Sequence, residues 1–329
     1  MENKSEFLGT KPVGKLLLRL TIPLIIALLA KAVLSLSTSA FLSITLFTTD
    51  SVIESWQLTA TLSELVSCFA VLFCFGGAIR VSKLIGRQDY EEAEKTFGNC
   101  ISMQVLLSVV IAVILIFFKE SFFHIIDKHF FSSTLYYSSH QTTPYVIIYA
   151  VGLVFIFLTV AMNFFIIAQG FTFTAMISIL IKEFSYFLFI RLFLGLFHLT
   201  LTGLALADVL SSILSLLWIL YFFNKKSMLK LSKRNLIPHI KPLLPCILLG
   251  GIALILQISN KAMSRKLSQA IAYHGKGNTF NLVTASVFNT VRYFFMQPLL
   301  AIGQGVQPII SYNYGAKNID RLKKVIKLV

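Results

Sequence analysis

The sequence predicts an all-α integral membrane protein, built as a polytopic bundle of membrane-spanning helices. Of its 329 residues, 56% are hydrophobic and only 13% are charged, and the mean hydropathy of +0.80 is well above that of soluble domains. Long apolar stretches also recur along the whole chain. In lipid a continuous helix satisfies its own backbone polar groups, whereas a loop or an open sheet edge does not. We therefore expect a multi-pass helical bundle that is surrounded by the lipid bilayer.

Eight apolar stretches are each long enough to cross a hydrocarbon core, which takes about 20 helical residues. We place these spans at residues 20–43, 57–79, 98–118, 144–169, 172–193, 200–223, 242–263 and 279–303. The N-terminal segment carries acids as well as bases, and the apolar stretch that follows it is too long for the core of a signal peptide. The first span is therefore predicted to be retained in the membrane.

The distribution of positive charge predicts the orientation, because cytoplasmic flanks retain Lys and Arg. Most of these residues fall in the N-terminal segment, in the segments after the second and sixth spans, and in the C-terminal segment. With eight spans, these four segments lie on one side of the membrane. The N-terminus is therefore predicted to face the cytoplasm, across the cell (plasma) membrane. The net charge of +15 follows from this topology, and no nucleic-acid partner is expected.

The ends of the second and eighth spans form an internal repeat. They read FGGAIRVSKLIG and GQGVQPIISYNYG, and each is followed by a charged helical stretch. One constant offset aligns three Gly and Ser positions between them, and six spans separate the copies, so both copies have the same membrane orientation. Parallel repeats of this kind are typical of transporters. The scaffold residues that the repeat defines are Gly76, Ser82, Gly86, Gly305, Gln307, Pro308, Ser311 and Gly315.

The repeat also predicts the domain organisation. Residues 1–223 would form a six-helix N-terminal lobe, 224–241 a basic cytoplasmic linker, and 242–329 a partial C-terminal lobe of two spans and the start of the next helix. A second copy that matched the first would contain about four further spans, so the chain is expected to be interrupted after its eighth span. A second chain that supplies the missing helices is therefore one conceivable partner.

Four stretches of the sequence resemble the multidrug and toxic compound extrusion (MATE) family, in its bacterial branch. They are LGTKPVGKLLLRLTIP at 8–23, FGGAIRVSKLIGRQDYEEAEKTFGN at 75–99, IAQG at 167–170 and QGVQPIISYNYGAKNIDRLKK at 304–324. The resemblance covers essentially the whole chain, although a full member has twelve spans. It implies export of cationic or amphipathic small molecules by alternating access of two six-helix lobes. The driving force would be an inward flow of H⁺ or Na⁺, with no other cofactor.

The resemblance also implies ion-binding carboxylates that this sequence lacks at the usual positions. The Asp of the family's first span aligns with Thr38. The Asn and the Asp-Pro pair of its fifth span align with Tyr186, Ile190 and Arg191. Glu183 falls on the same helix face as Tyr186 and Ile190. It is therefore a candidate for a displaced carboxylate that binds the coupling ion.

Charged side chains inside a membrane span are costly, and each needs a partner, a water-filled cavity or a function. Lys31 shares a face of the first span with Ser35 and Thr38. Lys31 could form a fixed ion pair with an intramembrane acid, an acid could instead titrate during transport, or the charges could reflect drift in an inactive chain. The candidate transport residues are Glu183, Asp208, Lys31, Thr38, Tyr186 and Glu64.

Three functions remain open at this stage: an efflux antiporter, a flippase for lipid-linked saccharides in the wider superfamily, and a non-transporting remnant or membrane subunit. No enzyme activity is predicted, because the sequence contains neither a G-x-S-x-G motif nor a Walker-type loop. The histidines are dispersed and the four cysteines lie in apolar runs. We therefore expect no metal site and no disulfide framework.

Overall fold

The computed structural model describes residues 5–45, 50–130, 139–230, 235, 240–274 and 279–329. Its α-helices are α1 (Phe7–Thr10), α2 (Val13–Thr45), α3 (Asp50–Cys68), α4 (Cys74–Gly86), α5 (Tyr90–Phe130), α6 (Ser139–Ala168), α7 (Thr172–Ile190), α8 (Leu201–Lys225), α9 (Ile240–His274), α10 (Thr279–Gly315) and α11 (Ile319–Leu328). These ranges contain no strand. The predicted all-α architecture is therefore confirmed.

Six helical stretches in the described residues are long and apolar enough to cross a membrane. They are Val13–Thr45, Leu58–Gly86, Tyr90–Phe123, Thr142–Ala168, Leu201–Lys225 and Leu243–Ser264. Each overlaps one of the eight predicted spans. The other two predictions, 172–193 and 279–303, fall on α7 and α10, which are helical but are not among these six stretches. On α7 the adjacent charges of Lys182 and Glu183 lower the hydropathy of the segment.

The helices extend well beyond the predicted span boundaries. α5 begins at Tyr90, with Glu91 and Glu92 in its first turn, and runs through the predicted third span to a kink at Phe118, after which the chain stays helical to Phe130. Acidic residues near a helix N-terminus favour this extension, since they interact with the positive end of the helix dipole. The predicted second span is in fact two helices, α3 and α4, which a 3-10 turn at Phe69–Val71 separates.

The two copies of the repeat contact each other through reciprocal close approaches of α4 and α10. Gly86 lies against the carbonyl oxygen of Tyr312, and Gly315 lies against the carbonyl oxygen of Lys83. A Cβ atom at either glycine would overlap the opposing oxygen. Main chains can approach this closely only where a side chain is absent. Since the offset of the repeat relates Lys83 to Tyr312 as well as Gly86 to Gly315, the contacts are equivalent, as a two-fold relation between the copies requires.

A second pair of scaffold glycines connects the copies at their other helices. Gly76 on α4 lies against the main chain of Cys246 on α9, and Gly305 on α10 lies against Thr21 on α2. Each copy therefore contributes one glycine to the surface of its counterpart. The repeat motif consequently determines how α2 and α4 pack against α9 and α10.

The polar residues of the repeat lie in the same contact region. The Ser82 hydroxyl donates a hydrogen bond to the carbonyl oxygen of Pro308 over 3.2 Å, and this bond again joins α4 to α10. Ser311 is buried, and the Nε2 atom of Gln307 is buried without a hydrogen-bond partner among the described residues. Among these side chains, that of Ser82 joins the two copies directly, and the scaffold role of the group stays a prediction.

Segments that the sequence assigns to one side of the membrane meet at one end of the bundle. The hydroxyl of Ser5, which precedes α1, donates to the carbonyl oxygen of Gln169 at the end of α6, over 2.8 Å. At the same end, the amide Nδ2 of Asn313 near the end of α10 donates to the carbonyl oxygen of Leu8 over 3.1 Å. The end of α6, the end of α10 and the N-terminal segment are thus in direct contact.

Two separate clusters of buried apolar side chains form the core. One contains Leu16–Leu28 of α2 together with parts of α4, α9 and α10, and the other contains Leu42 of α2 together with parts of α3, α6 and α8. The stretch of α2 between the clusters carries Lys31 and Thr38. This polar stretch of α2 is where the candidate site lies.

Candidate functional site

A polar cavity of about 320 Å³ lies between α2, α3, α6, α7 and α8. From α2 it is lined by Lys31, Ser35 and Thr38, which the helical repeat places on one face, as predicted. The other polar and aromatic residues that line it are Ser39, Trp56, Ser63, Glu64, Tyr145, Glu183, Tyr186 and Asp208. All six candidate transport residues therefore line one cavity. Their roles in transport stay predictions.

The charged residue of α2 forms an ion pair with the charged residue of α7. The Nζ atom of Lys31 lies 2.7 Å from Oε1 of Glu183. The Lys31 side chain is 40% exposed, whereas that of Glu183 is only 13% exposed. Among the three acids considered from the sequence, Glu183 is thus the one that Lys31 contacts.

Sequence analysis missed the partners of the other two acids. Nζ of Lys182 lies 3.2 Å from Oδ1 of Asp208, which joins α7 to α8, and Nζ of Lys261 lies 3.2 Å from Oε1 of Glu64, which joins α9 to α3. The adjacent positions of Lys182 and Glu183 in the sequence indicate that Lys182 has a different partner from Glu183. Adjacent residues of a helix point about 100° apart and can therefore contact two different helices. Nothing in the sequence links Lys261 to Glu64.

The cavity therefore contains paired charges. Each of the three acids that line it, Glu64, Glu183 and Asp208, has one lysine partner. In a site of low dielectric such a pair is strongly attractive, and removing one partner leaves the other charge uncompensated. Any ion or solute that binds one of these carboxylates must therefore compete with a tethered ammonium group.

The other two positions aligned with family ion-site motifs do not line the cavity. Ile190 is buried in the second apolar cluster. The guanidinium of Arg191 lies over the ring of Phe187, 4.3 Å from its centroid, and 5.4 Å from the centroid of Phe41. Of the fifth-span positions singled out by the resemblance, only Tyr186 lines the cavity.

A second, smaller cavity lies beside the first. It has a volume of about 160 Å³ and is lined by Lys31 and Glu183 as well as by Asn163, Lys182 and Gln304. Lys31 and Glu183 thus line both cavities, and their ion pair contributes to the wall that the two share. In the smaller cavity, the oxygen of Asn163 accepts a hydrogen bond from the Ser178 hydroxyl.

Metal ligation has no structural support in the part of the chain that is described. No group of three or more His, Cys, Asp or Glu side chains there is placed to hold a metal ion. Cys68, Cys74, Cys100 and Cys246 are all buried. The chemistry available to the cavity is therefore that of paired charges, hydroxyl groups and aromatic rings.

Membrane-length helices, a parallel internal repeat and a charge-lined cavity within the bundle define a polytopic membrane protein of the secondary-transporter class. The sequence profile of the MatE family matches residues 23–189, which is just over half of the chain. The chain belongs to the MatE family. The resemblance identified from its motifs is thereby confirmed.

Two similar curated proteins are multidrug export proteins MepA of staphylococci. The protein of Staphylococcus haemolyticus (strain JCSC1435) is 24% identical over 320 residues, which cover 96% of this chain and 68% of that protein. The protein of Staphylococcus aureus (strain NCTC 8325 / PS 47) is 24% identical over 327 residues, which cover 97% of this chain and 68% of that protein. Both relatives are therefore longer than the chain described here.

Solved structures show that the fold is that of MATE transporters. An outward-facing multidrug resistance MATE family transporter of the MOP superfamily superposes with a TM-score of 0.84 at 17% identity, covering 98% of this chain and 69% of its own. A MATE protein in complex with Br-NRF also gives a TM-score of 0.84, at 16% identity, covering 99% of this chain and 74% of its own.

Proposed function

We propose that the chain acts in secondary active efflux, as an antiporter that exports amphipathic or cationic organic compounds. The observation that carries this proposal is the cavity in which Glu183 and Asp208 lie within the bundle, beside aromatic residues such as Trp56 and Tyr186. A site that combines aromatic side chains with a few placed charged groups suits an amphipathic solute. The names of the staphylococcal relatives favour drug export over flipping of lipid-linked saccharides.

Coupling to an inward flow of H⁺ or Na⁺ would use the intramembrane carboxylates. Thr38 and Tyr186 cannot supply them, so Glu183 and Asp208 are the proposed sites, and Glu64 is a weaker candidate because its side chain is 46% exposed. Lys31 would compete with the incoming ion for Glu183. Binding of the ion would then release Lys31, and its loss would restore the pair, which gives the cavity two electrostatic states.

The membrane arrangement belongs to the same proposal. We place the N-terminus in the cytoplasm, with a six-helix lobe at 1–223, a basic linker at 224–241 and two helices of a second lobe at 242–329. Alternating access requires two lobes that move against each other. We therefore propose that transport needs helices equivalent to the remaining length of the curated relatives, either continuous with this chain or supplied by a second chain.

The experiment is efflux of a fluorescent cationic dye from sealed vesicles under an imposed H⁺ or Na⁺ gradient. The 329-residue chain would be compared with the same chain co-expressed with the C-terminal third of a staphylococcal MepA, and each form would carry Glu183→Gln or Asp208→Asn in parallel. We expect gradient-driven efflux only from the completed form, and at least a tenfold loss with one of the two variants. The matched control is Glu120→Gln, which alters an acid outside the cavity.

Two results would contradict this proposal. If the correctly inserted, completed form moves no dye under either gradient, the chain is not part of a drug antiporter. If efflux persists unchanged in both Glu183→Gln and Asp208→Asn, the coupling carboxylate lies elsewhere.

A further inference from the structure

The ion pair of Lys31 and Glu183 lies between two cavities. Both side chains line the cavity of about 320 Å³ and also the neighbouring cavity of about 160 Å³. The pair itself is close, with 2.7 Å between Nζ of Lys31 and Oε1 of Glu183. If the two side chains separate, the charged groups of a bound solute could insert between them, because there is a cavity on each side of the pair.

The two charges of the pair differ in accessibility. The Lys31 side chain is 40% exposed, whereas that of Glu183 is 13% exposed. Asp208, which lines the same cavity, lies 3.2 Å from Nζ of Lys182. The carboxylates of Glu183 and Asp208 thus both have an ammonium partner.

Charge balance decides which solutes can bind at low cost. A solute with a single positive charge could reach Glu183 only by displacing Lys31, which would leave that ammonium unpaired in a site of low dielectric. A solute with one positive and one negative group can insert into the pair, so that its cation binds Glu183 and its anion binds Lys31. No charge then loses its partner, and two charge-assisted hydrogen bonds replace one.

The rest of the larger cavity suits the apolar part of such a solute. Trp56, Tyr145 and Tyr186 line it together with Leu34 and Leu42. Aromatic side chains contribute large contact areas in ligand sites, and a volume of about 300 Å³ or more is typical of pockets for small organic molecules. The apolar part of a zwitterionic solute would contact these side chains, and its positive and negative groups would contact Glu183 and Lys31.

We propose that the Lys31–Glu183 pair is the recognition site for zwitterionic amphipathic compounds, which bind by exchanging partners with both residues. This inference rests on the proposed efflux function and specifies its substrate class. Lys31 then determines specificity, because it binds the anionic group that a zwitterion has and a simple cation lacks. Glu183 supplies the site for the cationic group of the solute.

The test uses two probes that differ by one carboxylate. Nε-dansyl-lysine carries an ammonium and a carboxylate at the end of its chain, whereas dansylcadaverine carries only the ammonium. The protein has two tryptophans, and one of them, Trp56, lines the cavity. In the Trp218→Phe variant of the purified 329-residue chain, energy transfer from Trp56 to the dansyl group therefore reports binding.

We expect Nε-dansyl-lysine to bind at least tenfold more tightly than dansylcadaverine in the Trp218→Phe protein. Lys31→Gln should abolish or invert this preference, and Lys31→Arg should preserve it. The matched control is Lys261→Gln, which breaks the pair with Glu64 at the same cavity but leaves the Lys31–Glu183 pair intact, and which should retain the preference. Should Lys31→Gln fail to fold, the neutral double variant Lys31→Gln/Glu183→Gln is expected to lose the preference in its place.

Equal affinities for the two probes in the Trp218→Phe protein would overturn the proposal. A preference that survives Lys31→Gln or the double variant would also overturn it. Efflux is measured separately with the same probes in vesicles that contain the completed form, in which the C-terminal third of a staphylococcal MepA is co-expressed with this chain. Gradient-driven efflux without a binding preference leaves the antiporter function standing and rejects this recognition site, whereas a Lys31-dependent preference without efflux supports the site and counts against the antiporter.

Discussion

The crossing of α4 and α10 gives a quantitative prediction for Gly86→Ala. The new Cβ would overlap the main-chain oxygen of Tyr312, which cannot rotate away as a side chain could. The two helices must therefore separate by about 1 Å to restore normal contact distances. Overpacking of this kind costs about 1–3 kcal/mol, and replacing glycine by alanine inside a helix returns about 0.5–1 kcal/mol. We expect a net loss of up to about 2.5 kcal/mol.

A thiol-reactive fluorogenic dye can follow unfolding of this variant, because all four cysteines are buried in the folded chain. The expected loss corresponds to a decrease in Tm of up to about 4 °C. Gly303→Ala is the matched control, since it lies on α10 and a Cβ there meets nothing within 4 Å. It should melt at the parent temperature or slightly above it. A Gly86→Ala protein that melts together with this control would refute the close crossing.

Three further predictions concern stability. Asp208→Asn should lower the Tm, because it leaves the ammonium of Lys182 without its partner. Adding Lys182→Gln should restore most of the lost stability. A double variant less stable than the single variant would contradict this prediction. Gln169→Leu should cost about 1–3 kcal/mol in denaturant titration, since the backbone N–H of Met228 loses its acceptor, and unchanged stability would exclude that bond. Asn318→Ala removes the cap at the start of α11 and should cost about 0.5–2 kcal/mol locally; hydrogen exchange confined to α11 should become faster, and an unchanged rate would refute the cap.

The part of the fold that could be predicted from the sequence depends on local chemistry. Apolar length predicts helices, and spacing along one helix places Lys31, Ser35 and Thr38 on one face whatever surrounds them. Helix ends were predicted less well. The sequence predicts a charged helical stretch at Tyr90 and a span that begins at residue 98, and the structure joins the two in the single helix α5, whose N-terminus the acidic Glu91 and Glu92 favour.

Partners across helices depend on packing that a single sequence does not encode locally. Lys261 and Glu64 lie on α9 and α3, far apart in the chain, and their ion pair exists only because those helices are adjacent. The division of the predicted second span into α3 and α4 is a similar case. Its 3-10 turn at Phe69–Val71 consists of ordinary apolar residues, with neither glycine nor proline to indicate a break.

The reciprocal glycine contacts have a consequence for how this protein can change over time. At Gly86 and Gly315 the opposing atom belongs to the main chain, so no side-chain replacement in the facing helix can make room for a larger residue. A substitution at Gly86 or Gly315 therefore cannot be compensated by a side-chain substitution in the facing helix. In this way each copy of the repeat limits which residues the other copy can carry at the crossing. A charge in the cavity, by contrast, can be exchanged along with its partner. The helix crossing therefore tolerates fewer substitutions than the charged residues of the cavity do.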